Sequence, residues 1–319
     1  MITGGTGFVG RHLANYINSL NDGHQIWCTY ANEVPHINSS FNYIRMPLGD
    51  PLTIKKVIKD VMPDIVFHLA GQSNVHKSWE NKIGTFEVNL NGTIFLLDAI
   101  KEIVPYSVIV TIGSSEEYGL KNTEDMPLVE SSTLTPTNPY GLSKMAMGMI
   151  SQQYNKAYGL KTIHVRPFNH IGPGQSSGFV VPDLINQIVS IESALDKDPI
   201  IYTGNLSSIR DFTDVRDIVK AYWLLAISEI SGEVYNVSSG IGRSVENLLD
   251  IMISYSTREI TVRKDLKRYR PLDNPIYIGD NNKLINHTGW GTQIDIHKTI
   301  RDVMIERRTL VKQEKIAND

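Results

Sequence analysis

The hydrophobic positions of this chain follow two periods. Short apolar runs at Gln25–Tyr30, Asp64–Leu69 and Ser107–Ile112 read as strands, and Phe8–Leu20, Pro51–Val61, Trp79–Ile103 and Pro139–Tyr158 read as helices. Ile65-Val66-Phe67 and Val108-Ile109-Val110 are uninterrupted, as in strands covered on both faces. This alternation predicts an α/β fold, a doubly wound parallel sheet with helices on both sides. After Arg166 the rhythm breaks. Phe168–Phe179 contains Gly172, Pro173, Gly174 and Gly178 and reads as a loop. A helix over Pro182–Ser193, a strand near Ile200–Thr203 and a Gly204–Arg210 loop follow. Val215, Ile218, Val219, Tyr222 and Ala226 then recur at helical spacing behind Asp214, a candidate N-cap. The rest mixes short strands and helices, which predicts a smaller mixed α/β unit. Only Met1, Ile2 and Thr3 precede the first glycine turn. Central strands usually run about five residues, so strand one is either clipped or begins before the assigned start.

Composition narrows the classes. The 319 residues are 41% hydrophobic and 20% charged, which is globular rather than disordered. Lys and Arg number 31 against 34 Asp and Glu, a net −3, so no cationic excess favours nucleic acid as a partner. The single cysteine, Cys28, permits no intramolecular disulfide and no Cys-based zinc site, and reads as a small core residue. The histidines do not cluster at metal-ligand spacing, so no metal is expected; His68 reads as a satisfied buried histidine. No apolar run approaches the ~18 residues that span a bilayer, and the N-terminus lacks a signal-peptide pattern. The expectation is a cytoplasmic protein without a membrane partner.

Three motifs carry chemistry. Thr3-Gly4-Gly5-Thr6-Gly7-Phe8-Val9-Gly10 runs from a strand into a helix. Its glycines permit a sharp turn and close approach of a pyrophosphate to the helix N-terminus. Tyr140 and Lys144 share one helix face, where an ammonium is expected to lower the phenol pKa and poise it for proton transfer. Ile112-Gly113-Ser114-Ser115-Glu116-Glu117-Tyr118-Gly119 ends a strand at the ligand edge of the sheet. There Ser114 can bind a reacting oxygen and Glu116 can move a carbon-bound proton, whereas Glu117 reads as a solvated loop residue.

Together, and in this order, these motifs resemble the extended short-chain dehydrogenase/reductases that act on nucleotide sugars, over essentially the whole chain. The resemblance implies a Rossmann unit of residues 1–167, joined by about 213–238 and 275–288. It implies a nucleotide-sugar unit of 168–212, 239–274 and 289–319. Ser114, Tyr140 and Lys144 match the catalytic set, with Glu116 beside them. Gly4, Thr6, Gly7, Phe8, Val9 and Gly10 would hold NAD(H) or NADP(H), joined by Leu48 and by Leu69, Ala70 and Gly71 of the His68–Ser73 stretch. Asn89-Leu90-Asn91-Gly92-Thr93 resembles the family's Asn-x-x-Gly-Thr motif, whose asparagine supports the site.

Arg166-Pro167-Phe168-Asn169-His170, Gly204-Asn205-Leu206, Arg210-Asp211-Phe212 and Arg270-Pro271-Leu272-Asp273 resemble the GDP-hexose branch. By that resemblance Ser73, Ser115, Asn169, Arg210 and Arg270 would bind a GDP-linked 4-keto-6-deoxyhexose, with Asp273 on the ribose. Pro47 stands where the family usually has an adenine-contacting Asp. Tyr30-Ala31-Asn32 carries neither the acid that reads a ribose 2′-hydroxyl nor an arginine for a 2′-phosphate, which favours NADPH while leaving NADH open. The helices 79–103 and 139–158 match those that pair into a four-helix homodimer interface.

The implied reaction is reduction of the C4 ketone of GDP-4-dehydro-6-deoxy-D-mannose to GDP-D-rhamnose. A GDP-mannose 4,6-dehydratase and a 4-reductase forming the 6-deoxy-talose epimer are the alternatives. A non-catalytic nucleotide-binding protein is a more remote one.

Overall fold

The computed structural model describes residues 1–32, 38–194, 198–265 and 274–318. In chain order the elements are β1 Ile2–Thr3, α1 Phe8–Ser19, β2 Trp27–Tyr30, β3 Asn42–Arg45, α2 Pro51–Val61, β4 Ile65–His68, α3 Val75–Glu80, α4 Lys82–Phe86, α5 Gly92–Ile103, β5 Val108–Ile112, α6 Pro139–Tyr158 and β6 Lys161–Pro167. The second half adds β7 Asn169–Ile171, α7 Val180–Ser193, β8 Ile200–Thr203, β9 Ile209–Asp214, α8 Val215–Ile227, β10 Glu233–Val237, β11 Gly242–Ser244, α9 Val245–Ser254, β12 Thr261–Lys264, β13 Ile276–Tyr277, α10 Asn282–Thr288 and α11 Ile296–Asn318.

Seven strands form one parallel sheet in the order β10-β6-β5-β4-β1-β2-β3. The winding direction reverses between β1 and β4, and ligands of such sheets bind beyond the strand ends at that reversal. Met1 extends the ladder of short β1, its carbonyl accepting from Phe67 N at 2.9 Å. One face packs under α1 and α8 through Leu13, Ile17, Val219 and Tyr222. The other packs under α2 and α5 through Ile54, Ile58, Leu96 and Ile100. Cys28 is buried in β2 against the first of these cores, as its sequence context predicts.

A separate core joins α7, α9 and α11 through Ile188, Leu248, Met252, Ile300 and Met304. Beside it β11, β9 and β13 pair, with β7 on β9, and β12 pairs β8. Asp214 caps α8 as expected, accepting from Arg216 N at 2.8 Å. Among the described residues no helix is long and apolar enough to cross a membrane.

The continuous helix expected over Trp79–Ile103 is interrupted twice. At Asn81 the backbone turns to φ −130°, ψ 78°, and its side chain accepts from Gly84 N at 2.9 Å to start α4 afresh. Asparagine competes with helical hydrogen bonding in this way. Residues Glu87–Asn91 then form one π turn, a local widening that often accompanies functional residues.

Candidate active site

The glycine loop has the shape its sequence predicts. Gly4 adopts φ +65°, and Gly7 N donates to Gly4 O at 2.9 Å. A Cβ on Gly10 would lie 2.5 Å from Gly4 O, and one on Gly5 would lie 2.6 Å from Cys28 Cβ. Helix α1 opens at Gly7 with no side-chain cap and no acidic residue in its first turn. Its leading N–H groups and positive dipole end therefore suit a phosphate anion. The residues fit the pyrophosphate of a dinucleotide. Thr6, Phe8 and Val9 are half-buried around the turn, and Phe8 stacks on His170 with ring centroids 6.1 Å apart.

A buried relay ties this loop to the π turn. Ala70 N donates to Thr3 Oγ1 at 3.0 Å, and Thr3 Oγ1 lies 2.9 Å from His68 Nδ1. On the other side His68 Nε2 lies 2.9 Å from Thr93 Oγ1, which donates to Asn89 O at 2.7 Å. All partners are satisfied when Nδ1 accepts and Nε2 donates, the neutral imidazole. Burial, helped by the Lys144 charge, lowers the His68 pKa to about 3. His68 is thus the satisfied buried histidine expected. The Asn89 side chain clamps Gln72, donating to its carbonyl at 3.0 Å and accepting from its N–H at 2.8 Å. It also donates to Ser143 Oγ at 2.9 Å.

Ser143 in turn donates to the Tyr140 carbonyl at 2.7 Å, so the Asn89 clamp reaches the first turn of α6. That turn is set by Asn138, which accepts from Gly141 N at 2.8 Å with Pro139 behind it. Tyr140 and Lys144 lie one turn apart on the same face, both buried, with Lys144 Nζ 6.0 Å from the Tyr140 ring centroid. Lys144 Nζ donates to Ile112 O, the last residue of β5, at 2.7 Å. Two residues on lies Ser114, close enough to the Tyr140 phenol to act on its pKa. Glu116 sits alongside, one carboxylate oxygen accepting from Asn138 Nδ2 at 2.8 Å.

Two expectations need correction. Burial pushes the Tyr140 phenol above its ordinary pKa of 10. The neighbouring Ser114 side chain opposes that rise, and the charges of Glu116 and Glu117 add to it. The phenol is therefore a protonated acid at neutral pH rather than a poised phenolate. Lys144 is lowered instead, to about 8, because its ammonium is buried, with Glu117 pulling the other way.

Glu117, read as a solvated loop residue, is wholly buried. Its Oε1 accepts from Ser114 N at 2.9 Å and lies 3.0 Å from His164 Nε2, and its Oε2 accepts from Arg166 Nε at 2.7 Å. Burial alone would raise its pKa, but His164, Arg166 and the Ser114 N–H together hold it below the usual carboxylate range. Arg166 Nη1 also donates to Tyr118 OH at 3.2 Å and to Glu130 O at 3.1 Å. The serine is thereby fixed from beneath by an ionic cluster.

Gly113 marks how tightly this cluster is packed, since a Cβ there would lie 2.1 Å from Glu117 Oε1 and 2.5 Å from His164 Nε2. Gly113→Ala is expected to destabilise the fold by roughly 1–3 kcal/mol, the usual cost of overpacking, measured by urea denaturation. A midpoint unchanged from wild type would contradict that packing.

The remaining candidate ligand residues are spread over both parts of the chain. Leu48 is buried beneath Gly92, Ala70 lies against Gly4, Leu69 is half-buried, and Gly71 is exposed beside Asn89. Ser73 and Asn169 are exposed. Ser115 is buried, its carbonyl accepting from Tyr277 OH at 2.7 Å. Arg210 of β9 pairs in register with Arg243 of β11 on one side and with Tyr277 of β13 on the other. Directly paired residues project from the same face, so two guanidinium-bearing residues and a phenol form one row beside the Ser115 loop. Nothing in Gly242-Arg243-Ser244 marks Arg243 from sequence; only strand pairing finds it. Arg270 and Asp273 lie outside the described residues.

A dinucleotide cradle at a switch point, with Ser, Tyr and Lys converging beside it, defines the short-chain dehydrogenase/reductase class. The GDP-mannose 4,6 dehydratase family model matches residues 1–303, and the chain belongs to that family. It is 31% identical to the GDP-6-deoxy-D-mannose reductase of Pseudomonas aeruginosa over 98% of each chain. It is 30% identical to the GDP-6-deoxy-D-talose 4-dehydrogenase of Aggregatibacter actinomycetemcomitans, over 97% of this chain and 98% of that one. Its fold superposes on the structure of RMD from Pseudomonas aeruginosa complexed with NADPH with a TM-score of 0.84, at 30% identity, covering 97% of this chain and 98% of that one.

Proposed function

We propose that this protein is a cytoplasmic NAD(P)H-dependent nucleotide-sugar 4-reductase that converts GDP-4-dehydro-6-deoxy-D-mannose to GDP-D-rhamnose. The observation that carries the reading is the buried, protonated Tyr140 phenol with the Ser114 side chain next to it, an acid and a second hydroxyl at the end of β5. The neighbouring carboxylates are engaged, Glu116 with Asn138 and Glu117 with His164 and Arg166. That arrangement favours protonating an alkoxide over removing a carbon-bound proton, as a dehydratase must. The similarity to a reductase along nearly the whole chain supports the same choice.

In this reading residues 1–167, with about 213–238 and 275–288, form the dinucleotide unit, and the remainder takes the nucleotide sugar. Gly4, Thr6, Gly7, Phe8, Val9 and Gly10 hold the pyrophosphate, and Leu48, Leu69, Ala70 and Gly71 line the rest of the dinucleotide groove. When bound, the dinucleotide supplies the hydride. Tyr140 gives its phenolic proton to the C4 oxygen, so the carbonyl π bond is replaced by one C–H and one O–H bond. Ser114 donates to the same oxygen and orients it. The Lys144 ammonium stabilises the phenolate left behind until water returns the proton. Glu116 braces α6 through Asn138. Arg210 and Arg243 flank the substrate diphosphate, for which planar guanidinium groups are suited. Ser73, Ser115, Asn169, Arg270 and Asp273 complete the substrate contacts.

Incubation of the purified protein with GDP-mannose, and separately with the 4-keto-sugar and reduced nicotinamide, tests the reading. Cofactor oxidation only with the keto-sugar is expected. A keto-sugar formed from GDP-mannose alone would establish the dehydratase instead.

The same reading includes a homodimer through α3–α6. Trp79, Ile83, Leu142 and Met149 on these helices are exposed, an unusual number of large apolar side chains for a solvated face. Sedimentation is expected to give a dimer, and Ile83→Glu with Met149→Glu a monomer. A wild-type monomer at micromolar concentration would reject this assembly.

A further inference from the structure

We propose that Arg45 selects NADPH over NADH by binding the 2′-phosphate of the adenosine ribose. The inference rests on the dinucleotide reading of the glycine loop and adds to it a residue outside the loop. In such folds the ribose is read about 20 residues beyond the glycines, at the end of the second strand. That position falls at Tyr30 and Ala31, which offer no carboxylate for a free 2′-hydroxyl. Strand pairing brings a cation there from elsewhere in the chain. Arg45, the last residue of β3, is the register partner of Tyr30 in the parallel β2–β3 pair.

Arg45 Nε donates to Ala31 O at 3.0 Å, which fixes the guanidinium against the segment that follows β2. Among the described residues its two Nη groups have no hydrogen-bond partner, and Arg45 is exposed. Asp50 lies near enough for its carboxylate to feel the Arg45 charge. Its oxygens, however, accept from Leu52 N, Thr53 N and Thr53 Oγ1 at the start of α2. A guanidinium anchored by Nε, with neither Nη group bonded to a described residue, presents the fork that grips phosphate oxygens in pairs. The position cannot be found from the β2 sequence, because the arginine arrives from the neighbouring strand.

The test uses nucleotide fragments, so it needs neither the sugar substrate nor turnover. Titration calorimetry of the full chain compares 2′,5′-ADP with 5′-AMP. Wild type is expected to bind 2′,5′-ADP at least about tenfold more tightly. Arg45→Ala and Arg45→Gln should lose that preference while binding 5′-AMP as before and melting at the wild-type temperature. Arg45→Lys should keep part of it.

Equal affinities in wild type would overturn the proposal and leave the reductase reading standing. Equal weakening of both fragments in Arg45→Ala would reduce Arg45 to a structural role. Failure of both fragments to bind wild type would overturn both the proposal and the dinucleotide reading beneath it.

Discussion

Tyr140→Phe is expected to lower kcat by about 10²–10⁴-fold, the usual contribution of a positioned proton donor. Binding of the nicotinamide dinucleotide should be nearly unchanged, because the ring and its packing remain. The phenol sits in a buried pocket that holds it protonated, so its removal leaves the nascent alkoxide with the Ser114 hydroxyl and no acid. Lys144 sets the accompanying pH profile. Its ammonium, lowered to about 8 by burial, is lost in the free enzyme as the pH rises through that value. The alkaline limb of kcat/KM should therefore lie near pH 8, well below that of an ordinary lysine. Wild-type turnover in the phenylalanine variant would remove Tyr140 from the chemistry.

Glu117→Ala is the substitution expected to cost most in stability, about 3–5 kcal/mol. It would leave the Arg166 guanidinium buried without its anion and would free the Ser114 N–H it holds. Urea denaturation at neutral pH measures the loss, and a cost below about 1 kcal/mol would match a surface ion pair instead. The acid side supplies a second check. The folded-state pKa of Glu117 is depressed, so its contribution is fully present above the unfolded carboxylate value of about 4.3. That contribution is lost as the pH falls through the folded value. Wild type should therefore lose stability below about pH 4 more steeply than Glu117→Gln, which has no carboxylate to protonate. Parallel acid limbs would contradict the ionic character of the cluster.

These two residues show where sequence reasoning reaches and where it stops. Tyr140, Lys144, Ser114 and the glycine loop were legible because each motif is local and its spacing alone places its members together. The parallel sheet was legible because strands buried on both faces are continuous apolar runs. Glu117 was not, because what buries it, His164 and Arg166, arrives on β6 from far along the chain. Arg243 and Arg45 are hidden for the same reason, their neighbours being set by strand register. The Tyr140 pKa is hidden for a different reason. The ammonium one turn away was visible in the sequence, but the depth of burial that outweighs it was not. The break at Asn81 is a local competition between side chain and helix that hydrophobic periodicity does not register.

The proposed reaction turns on delivery of hydride to C4 of a GDP-linked keto-sugar with protonation at Tyr140. The most direct measurement supplies the 4-keto-sugar with reduced nicotinamide deuterated at its transferable position and reads the product by NMR. Deuterium at C4 of a GDP-6-deoxyhexose, with the D-rhamno configuration, is the predicted result. Deuterium at C6, or a sugar that leaves with its ketone intact, would contradict it.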